Sequence, residues 1–249
     1  KVPEVTFYFW VIKIMCTTVG ETAADYLNVN LGFGLTNTTY VTGVLLLALL
    51  AVQLRLPKYI PAVYWSVVVV ISVFGTLITD NLTDRYGVPL TTSTAVFAIV
   101  LAIVFAVWYA SERTLSIHTI YTTRRELFYW LAILFTFALG TAAGDLAAEK
   151  LKLGYFVSAL IFGAIIAAIA IAHFKFELNA VLAFWLAYIL TRPLGASLGD
   201  LLSQSKHAGG LGIGATGTSY IFLGCILLLV TYLTRTRRDQ TRPVEASSG

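Results

Sequence analysis

From one end to the other, the chain alternates long apolar stretches with short polar connections. The apolar stretches last about 17 to 25 residues, the length an α-helix needs to cross the hydrocarbon core of a bilayer. Eight helices are predicted on this basis, over approximately 5–27, 38–54, 61–82, 92–110, 127–148, 155–172, 178–201 and 218–234. Continuous apolar character, in place of the two-residue alternation of a barrel strand, excludes a transmembrane β-barrel. The expected fold class is all-α, a polytopic membrane protein with eight transmembrane helices.

Composition agrees. Hydrophobic residues make up 58% of the chain and charged residues 12%, with a mean hydropathy of +0.81, whereas soluble domains carry about 25% charged residues. The spans leave no room for a separate soluble domain, so residues 1–234 are expected to form one transmembrane domain. The polar segment 235–249 is expected to be a disordered cytoplasmic tail. The first apolar run is too long and too rich in carboxylates to read as a cleaved signal peptide, and is expected to be a genuine span. Cys16 and Cys225 fall inside apolar runs, where cysteine acts as a small hydrophobe.

The net charge of +4 changes little, because the basic residues sit mainly in connections and report topology before they report nucleic acid. One set of connections holds Lys1, Arg55, Lys58, Arg113, Arg124, Arg125, Lys175, Arg235, Arg237, Arg238 and Arg242. The other holds only Arg85, Lys150, Lys152 and Lys206. By the positive-inside rule both termini are expected on the cytoplasmic side of the membrane.

A fixed register recurs four times. Trp10, Trp65, Trp130 and Trp185 stand near the starts of the odd helices, at offsets of 55, 65 and 55 residues. Ten residues after each tryptophan comes a glycine, Gly20, Gly75, Gly140 and Gly195, and five residues later an aspartate, Asp25, Asp80, Asp145 and Asp200. The strings are GETAAD, GTLITD, GTAAGD and GASLGD. Each repeat is thus one helix pair, approximately 1–55, 56–115, 116–176 and 177–234. These features resemble a family of bacterial membrane proteins built of four tandem two-helix repeats, each with a characteristic tryptophan. The resemblance covers essentially the whole chain and implies architecture only, since the family it points to is one of unknown function. Glu21 is replaced by Thr76, Thr141 and Ala196 in the other repeats.

If the tryptophans mark a cytoplasmic aromatic belt, each aspartate lies about 22 Å further along its helix, in the outer third of the membrane. Repeats in one orientation imply a parallel pseudo-symmetry axis along the membrane normal. Small residues four apart (Gly20 and Ala24, Gly75 and Thr79, Gly140 and Gly144, Gly195 and Gly199) are expected to let the odd helices pack closely inward. Packing alone does not explain the aspartates, because a carboxylate inside a bilayer is costly and marks a polar cavity or pathway by default.

Extending each helix by one turn adds Glu21 beside Asp25, Asp84 beside Asp80 and Glu149 beside Asp145. Glu21, Asp25, Asp80, Asp145, Asp200, Asp84 and Glu149 are therefore the expected cation-binding set, with repeat one contributing most. Glu21, Asp25, Asp80, Asp145 and Asp200 are the expected metal ligands. Asp84 and Glu149 read equally well as interfacial residues beside Arg85 and Lys150. Hydroxyl strings open the even helices, TNTTY at 36–40, TTST at 91–94 and TGTSY at 216–220, as helix caps or as neutral oxygen ligands. Lys13, close to Trp10, is expected to snorkel to the cytoplasmic interface. Arg192, deeper and followed by a helix-disrupting Pro193, is expected to pair with an acidic residue.

Carboxylates and hydroxyls are hard ligands suited to Mg, Ca or Mn. The leading expectation is a secondary transporter of a cation, most simply a divalent metal, with carboxylate protonation as a coupling step. Its partners would be the lipid bilayer and a small cation, with no covalent cofactor, no nucleic acid and no enzymatic activity, as a monomer or a homo-oligomer. An organic-cation exporter, a cation channel and a non-transport scaffold or sensor remain open on sequence alone. SLGD at 197–200 and AAGD at 142–145 place an aspartate after a glycine on paired helices, as intramembrane aspartyl proteases do, but four symmetric aspartates favour symmetry over a catalytic dyad.

Overall fold

The structure is a computed structural model and describes residues 1–240. Among these it contains eight long helices and no strand: α1 Phe7–Asp25, α2 Gly34–Arg55, α3 Pro61–Asp80, α4 Leu90–Glu112, α5 Thr123–Asp145, α6 Gly154–Phe176, α7 Ala180–Ser203 and α8 Ala215–Thr236. All but α1 are long and apolar enough to cross a membrane. α1 carries Lys13 and Glu21 within its length.

The odd helices form a closed inner ring in the order α1, α3, α5, α7 and back to α1. Each even helix packs outside the ring against the odd helix that follows it in the chain: α2 on α3, α4 on α5 and α6 on α7, with α8 closing onto α1. Burial follows this order. In α3, α5 and α7, 61% of the apolar stretch is buried, against 17, 22, 11 and 28% in α2, α4, α6 and α8. The outward faces of the even helices are themselves apolar, with Val44, Leu47, Ile99, Ile103, Phe156, Leu160, Leu227 and Leu228 exposed. A soluble protein does not present such continuous apolar surface to water.

Glycine sets the diameter of the ring. A Cβ on Gly20 would run into Ser72 of α3, one on Gly75 would lie 2.6 Å from Phe137 Cβ of α5, and one on Gly140 would strike Arg192 and Pro193 of α7. One on Gly195 would overlap Thr17 of α1. Each repeat's glycine therefore receives the next repeat's side chain three residues before its own glycine, and the fourth returns to the first. Small residues at this register let the backbones approach.

The tryptophans close a second ring. Trp65 packs on Phe9 at 5.6 Å between centroids, Trp130 on Tyr64 at 5.4 Å, Trp185 on Tyr129 at 6.2 Å and Trp10 on Phe184 at 5.8 Å. Trp65, Trp130 and Trp185 are buried, so these residues form an internal collar and not the belt of interfacial side chains expected from the sequence. The reason is angular. Each tryptophan directly follows an axis-facing residue, which aims its ring into the seam with the neighbouring inner helix.

Two boundaries differ from expectation. The even helices start earlier than the hydroxyl strings, whose members bond back to carbonyls one turn before them, as in Thr38 Oγ1 to Gly34 O at 2.9 Å and Thr39 Oγ1 to Leu35 O at 2.7 Å. The residues preceding α2, α4, α6 and α8 make no side-chain cap bond. At the far end, α8 continues to Thr236, and Asp239 is anchored by Tyr59, whose hydroxyl donates to Oδ2 at 2.5 Å, and by its own carbonyl accepting from Glu4 N. Burial raises the Asp239 carboxyl above the usual carboxylate range. Order thus extends into the segment expected as a tail, and 241–249 lie outside the described residues.

Candidate functional site

The fourfold register places five layers of side chains inside the ring, each four residues beyond the last, because a step of four keeps to one helix face. From the basic end they are Phe9, Tyr64, Tyr129 and Phe184; Lys13, Val68, Ile133 and Tyr188; Thr17, Ser72, Phe137 and Arg192; Glu21, Thr76, Thr141 and Ala196; and Asp25, Asp80, Asp145 and Asp200. The first four layers are buried throughout.

Arg192 occupies the centre and is fully buried. Its Nη2 donates to Glu21 Oε2 at 2.9 Å, to Thr141 Oγ1 at 2.7 Å and to Thr76 Oγ1, and its Nη1 donates to Thr17 O at 2.8 Å. The three side-chain acceptors occupy the same position in repeats one, three and two. Repeat four has Ala196 there, on the helix that supplies the arginine. The substitution of Glu21 by Thr76, Thr141 and Ala196 is therefore one coordination shell, with a single carboxylate to neutralise a single guanidinium. An acidic partner for Arg192 was expected, and Glu21 is that partner. α7 runs through Pro193, which is buried against Gly140.

Above this shell, Glu21, Asp145 and Asp200 each offer a carboxylate oxygen within 4.8 Å of the other two. Glu21 and Asp200 are buried and Asp145 is partly so. Asp25 and Asp80 are half-buried in the same layer but fall outside this closest group. The closest group of three therefore joins repeats one, three and four. Gly199 helps to create it. A Cβ there would lie 3.1 Å from Glu21 Cβ, so glycine lets α7 bring Asp200 alongside α1.

Asp84 and Glu149 stand apart on the exposed rim. One residue past each aspartate the first three odd helices change from α to π pitch, over Tyr26–Asn30, Asn81–Arg85 and Leu146–Lys150, and Asp84 and Glu149 lie on these segments. Bonds from Leu31 N to Tyr26 O, Tyr86 N to Asn81 O and Leu151 N to Leu146 O close turns one residue wider than an α-turn. Repeat four has no such turn, and α7 ends at Ser203 before a glycine-rich connection.

The hydroxyl strings contribute little to the acidic layer. Thr39 Oγ1 accepts from Asn81 Nδ2 at 2.8 Å, Thr36 Oγ1 accepts from Arg85 Nη1 at 2.6 Å, and Ser219 Oγ donates to Thr22 Oγ1 at 2.8 Å. The hydroxyls that matter are Thr76 and Thr141, visible in the sequence only as replacements of Glu21. Lys13 also departs from expectation. It is 1% exposed, with Nζ 3.9 Å from the centroid of Phe137 and 4.2 Å from that of Tyr188. Its axis-facing register overrides its closeness to the helix end, so it does not snorkel.

A family model described as a repeat of unknown function (DUF347) matches the chain four times, over residues 8–59, 63–114, 128–179 and 183–239. The chain belongs to this repeat family. No curated protein and no solved structure matches it.

Proposed function

We propose that the protein is a secondary transporter that binds a divalent cation in the carboxylate layer and exchanges it against protons. The observation that carries this reading is the approach of Glu21, Asp145 and Asp200 to within 4.8 Å of one another on three different helices. Arg192 neutralises only Glu21, so the three carboxylates together still repel unless protons or a cation compensate the rest, and both forms of compensation are what an exchanger alternates between. Their oxygen donors suit Mg, Ca or Mn, with Asp25 and Asp80 as further ligands on the approach.

The position of Arg192 favours an exchanger over a cation channel. A buried guanidinium across the axis, over buried layers of Phe137, Tyr188, Tyr64 and Tyr129, opposes free passage of cations. The acidic layer is then a vestibule at the end of the bundle away from the basic residues, with Asp25, Asp80 and Asp145 partly exposed. On this reading all eight helices span a bacterial inner membrane with the basic end and both termini in the cytoplasm. α1 tolerates its charges because the other helices enclose it. Uptake of Mn²⁺ or Ca²⁺ into proteoliposomes under an imposed pH gradient tests the reading; voltage-driven conductance without proton movement would replace it by a channel.

A further inference from the structure

Lys13 is a buried charged group that the carboxylate layer does not use. Its Nζ has no hydrogen-bond or ion-pair partner among the described residues. What faces it instead is aromatic: Phe137 at 3.9 Å and Tyr188 at 4.2 Å to the ring centroids. Arg192 lies over the same Phe137 ring, with Cζ 5.9 Å from its centroid. Two cationic side chains, from α1 and α7, therefore share one ring in the middle of the bundle.

The surroundings define what Lys13 can exchange with. Cys16 lies one turn along α1, and α7 presents Tyr188 and Arg192. Beyond Tyr188, α5 and α3 present Tyr129 and Tyr64, whose hydroxyls bond at 2.5 Å. α8 contributes nothing there, since Tyr220 pairs with Tyr26, Tyr232 packs on Tyr8 and Cys225 is exposed. Glu21, two turns along α1, is held by Arg192.

We propose that Lys13 is a proton-binding site whose occupancy sets how firmly Arg192 holds Glu21, and so couples proton movement to cation binding in the vestibule; this rests on the exchanger reading. As an ammonium, Lys13 takes the ring faces and repels Arg192 toward Glu21. On deprotonation an N–H bond breaks, its electron pair stays on Nζ and the proton leaves on water from the basic end. The repulsion then vanishes, Arg192 relaxes onto Phe137 and Thr17 O, which it already meets, and its hold on Glu21 loosens, so that Glu21, already within 4.8 Å of Asp145 and Asp200, can share a cation with them. The proton lost from Lys13 offsets one of the two charges that a divalent cation brings, and the carboxylate layer takes up the other.

The test measures proton release when Ca²⁺ or Mn²⁺ is added to the full chain in weakly buffered detergent, for the parent, Lys13→Met and Lys13→Gln. Both variants are expected to bind the cation with about one proton fewer released per cation, which reduces the pH dependence of affinity by about tenfold per pH unit. Two variants of different polarity guard against a folding defect in either. Unchanged proton release in folded variants that bind the cation overturns the role of Lys13 and leaves the exchanger reading intact. If the parent binds neither cation, the exchanger reading falls, and lysine-selective NMR decides on Lys13 separately. Its signal, assigned by its loss in Lys13→Met, should change protonation state with pH and respond to Glu21→Gln. A signal fixed in one state, or one indifferent to Glu21→Gln, overturns the proposal.

Discussion

Arg192 Nη2 stands 2.9 Å from Glu21 Oε2 across the centre of a pseudo-fourfold ring, joining the last repeat to the first. Both side chains are almost wholly enclosed. Removing one partner of a buried pair strands the other charge, at a cost of about 3–5 kcal/mol. Glu21→Ala is expected to destabilise the protein by that order. The double variant Glu21→Gln with Arg192→Met should recover most of the loss, as followed by thermal unfolding in detergent. Equal destabilisation in the single and double variants would mean that the pair is not what holds the centre.

The glycine ring predicts a specific rescue. Gly20→Ala drives a methyl group into Ser72 and should cost about 1–3 kcal/mol by overpacking. Ser72→Gly in the same chain should return part of that loss, whereas Ser72→Gly combined with Gly75→Ala should not, because Gly75 meets Phe137. A double-mutant cycle on melting temperature reads the difference. The pairing tests the order of helices around the ring, since only neighbours can compensate.

Much of this architecture is legible in the sequence because it repeats. Trp, Gly and Asp at constant spacing report three roles of the inner helices, namely collar, contact and acidic layer. The intervening axis residues, Lys13 and Arg192 among them, break the repeat and so escape notice as members of layers. Lys13 was placed by its distance from a helix end, yet its rotation about the helix axis decided its fate. The π turns after Asp25, Asp80 and Asp145 leave no compositional mark, since widening a turn by one residue needs no special side chain, so the end of each helix at the rim is not legible in the sequence. The closure of α8 onto α1 joins the most distant parts of the chain, which no local pattern can report.

The π turns also carry a backbone prediction. Gly32 and Gly87 adopt φ of 66° and 65°, and the equivalent position in repeat three is Lys152 at 56°. A side chain in this left-handed region costs about 1–2 kcal/mol, partly offset by the entropy that glycine loses on folding. Lys152→Gly is therefore expected to leave stability unchanged or raise it by up to about 1 kcal/mol, and Gly32→Val to lower it. Thermal unfolding of the two variants side by side checks this, and the opposite order would contradict the turn geometry.

Among the acids, position predicts rank. Asp145→Asn and Asp200→Asn should weaken cation binding most, by tenfold or more for each lost charge at about 1.4 kcal/mol or above. Asp25→Asn and Asp80→Asn should have intermediate effects, and the rim variants Asp84→Asn and Glu149→Gln the smallest. Calorimetric titration of the folded variants with Ca²⁺ or Mn²⁺ gives the series. Equal losses at rim and centre would indicate a diffuse surface attraction in place of a site.

The most direct measurement is thermal unfolding of the full chain in detergent with Mg²⁺, Ca²⁺ and Mn²⁺, compared with an organic cation at equal ionic strength. A ligand that binds only the folded state at about 100 times its Kd adds about 2.7 kcal/mol to stability. At least one divalent cation is expected to raise the melting temperature of the parent, with the increase lost in the combined Asp145→Asn and Asp200→Asn variant. No increase with any divalent cation, or the same increase in that variant, would contradict a cation site formed by Glu21, Asp145 and Asp200.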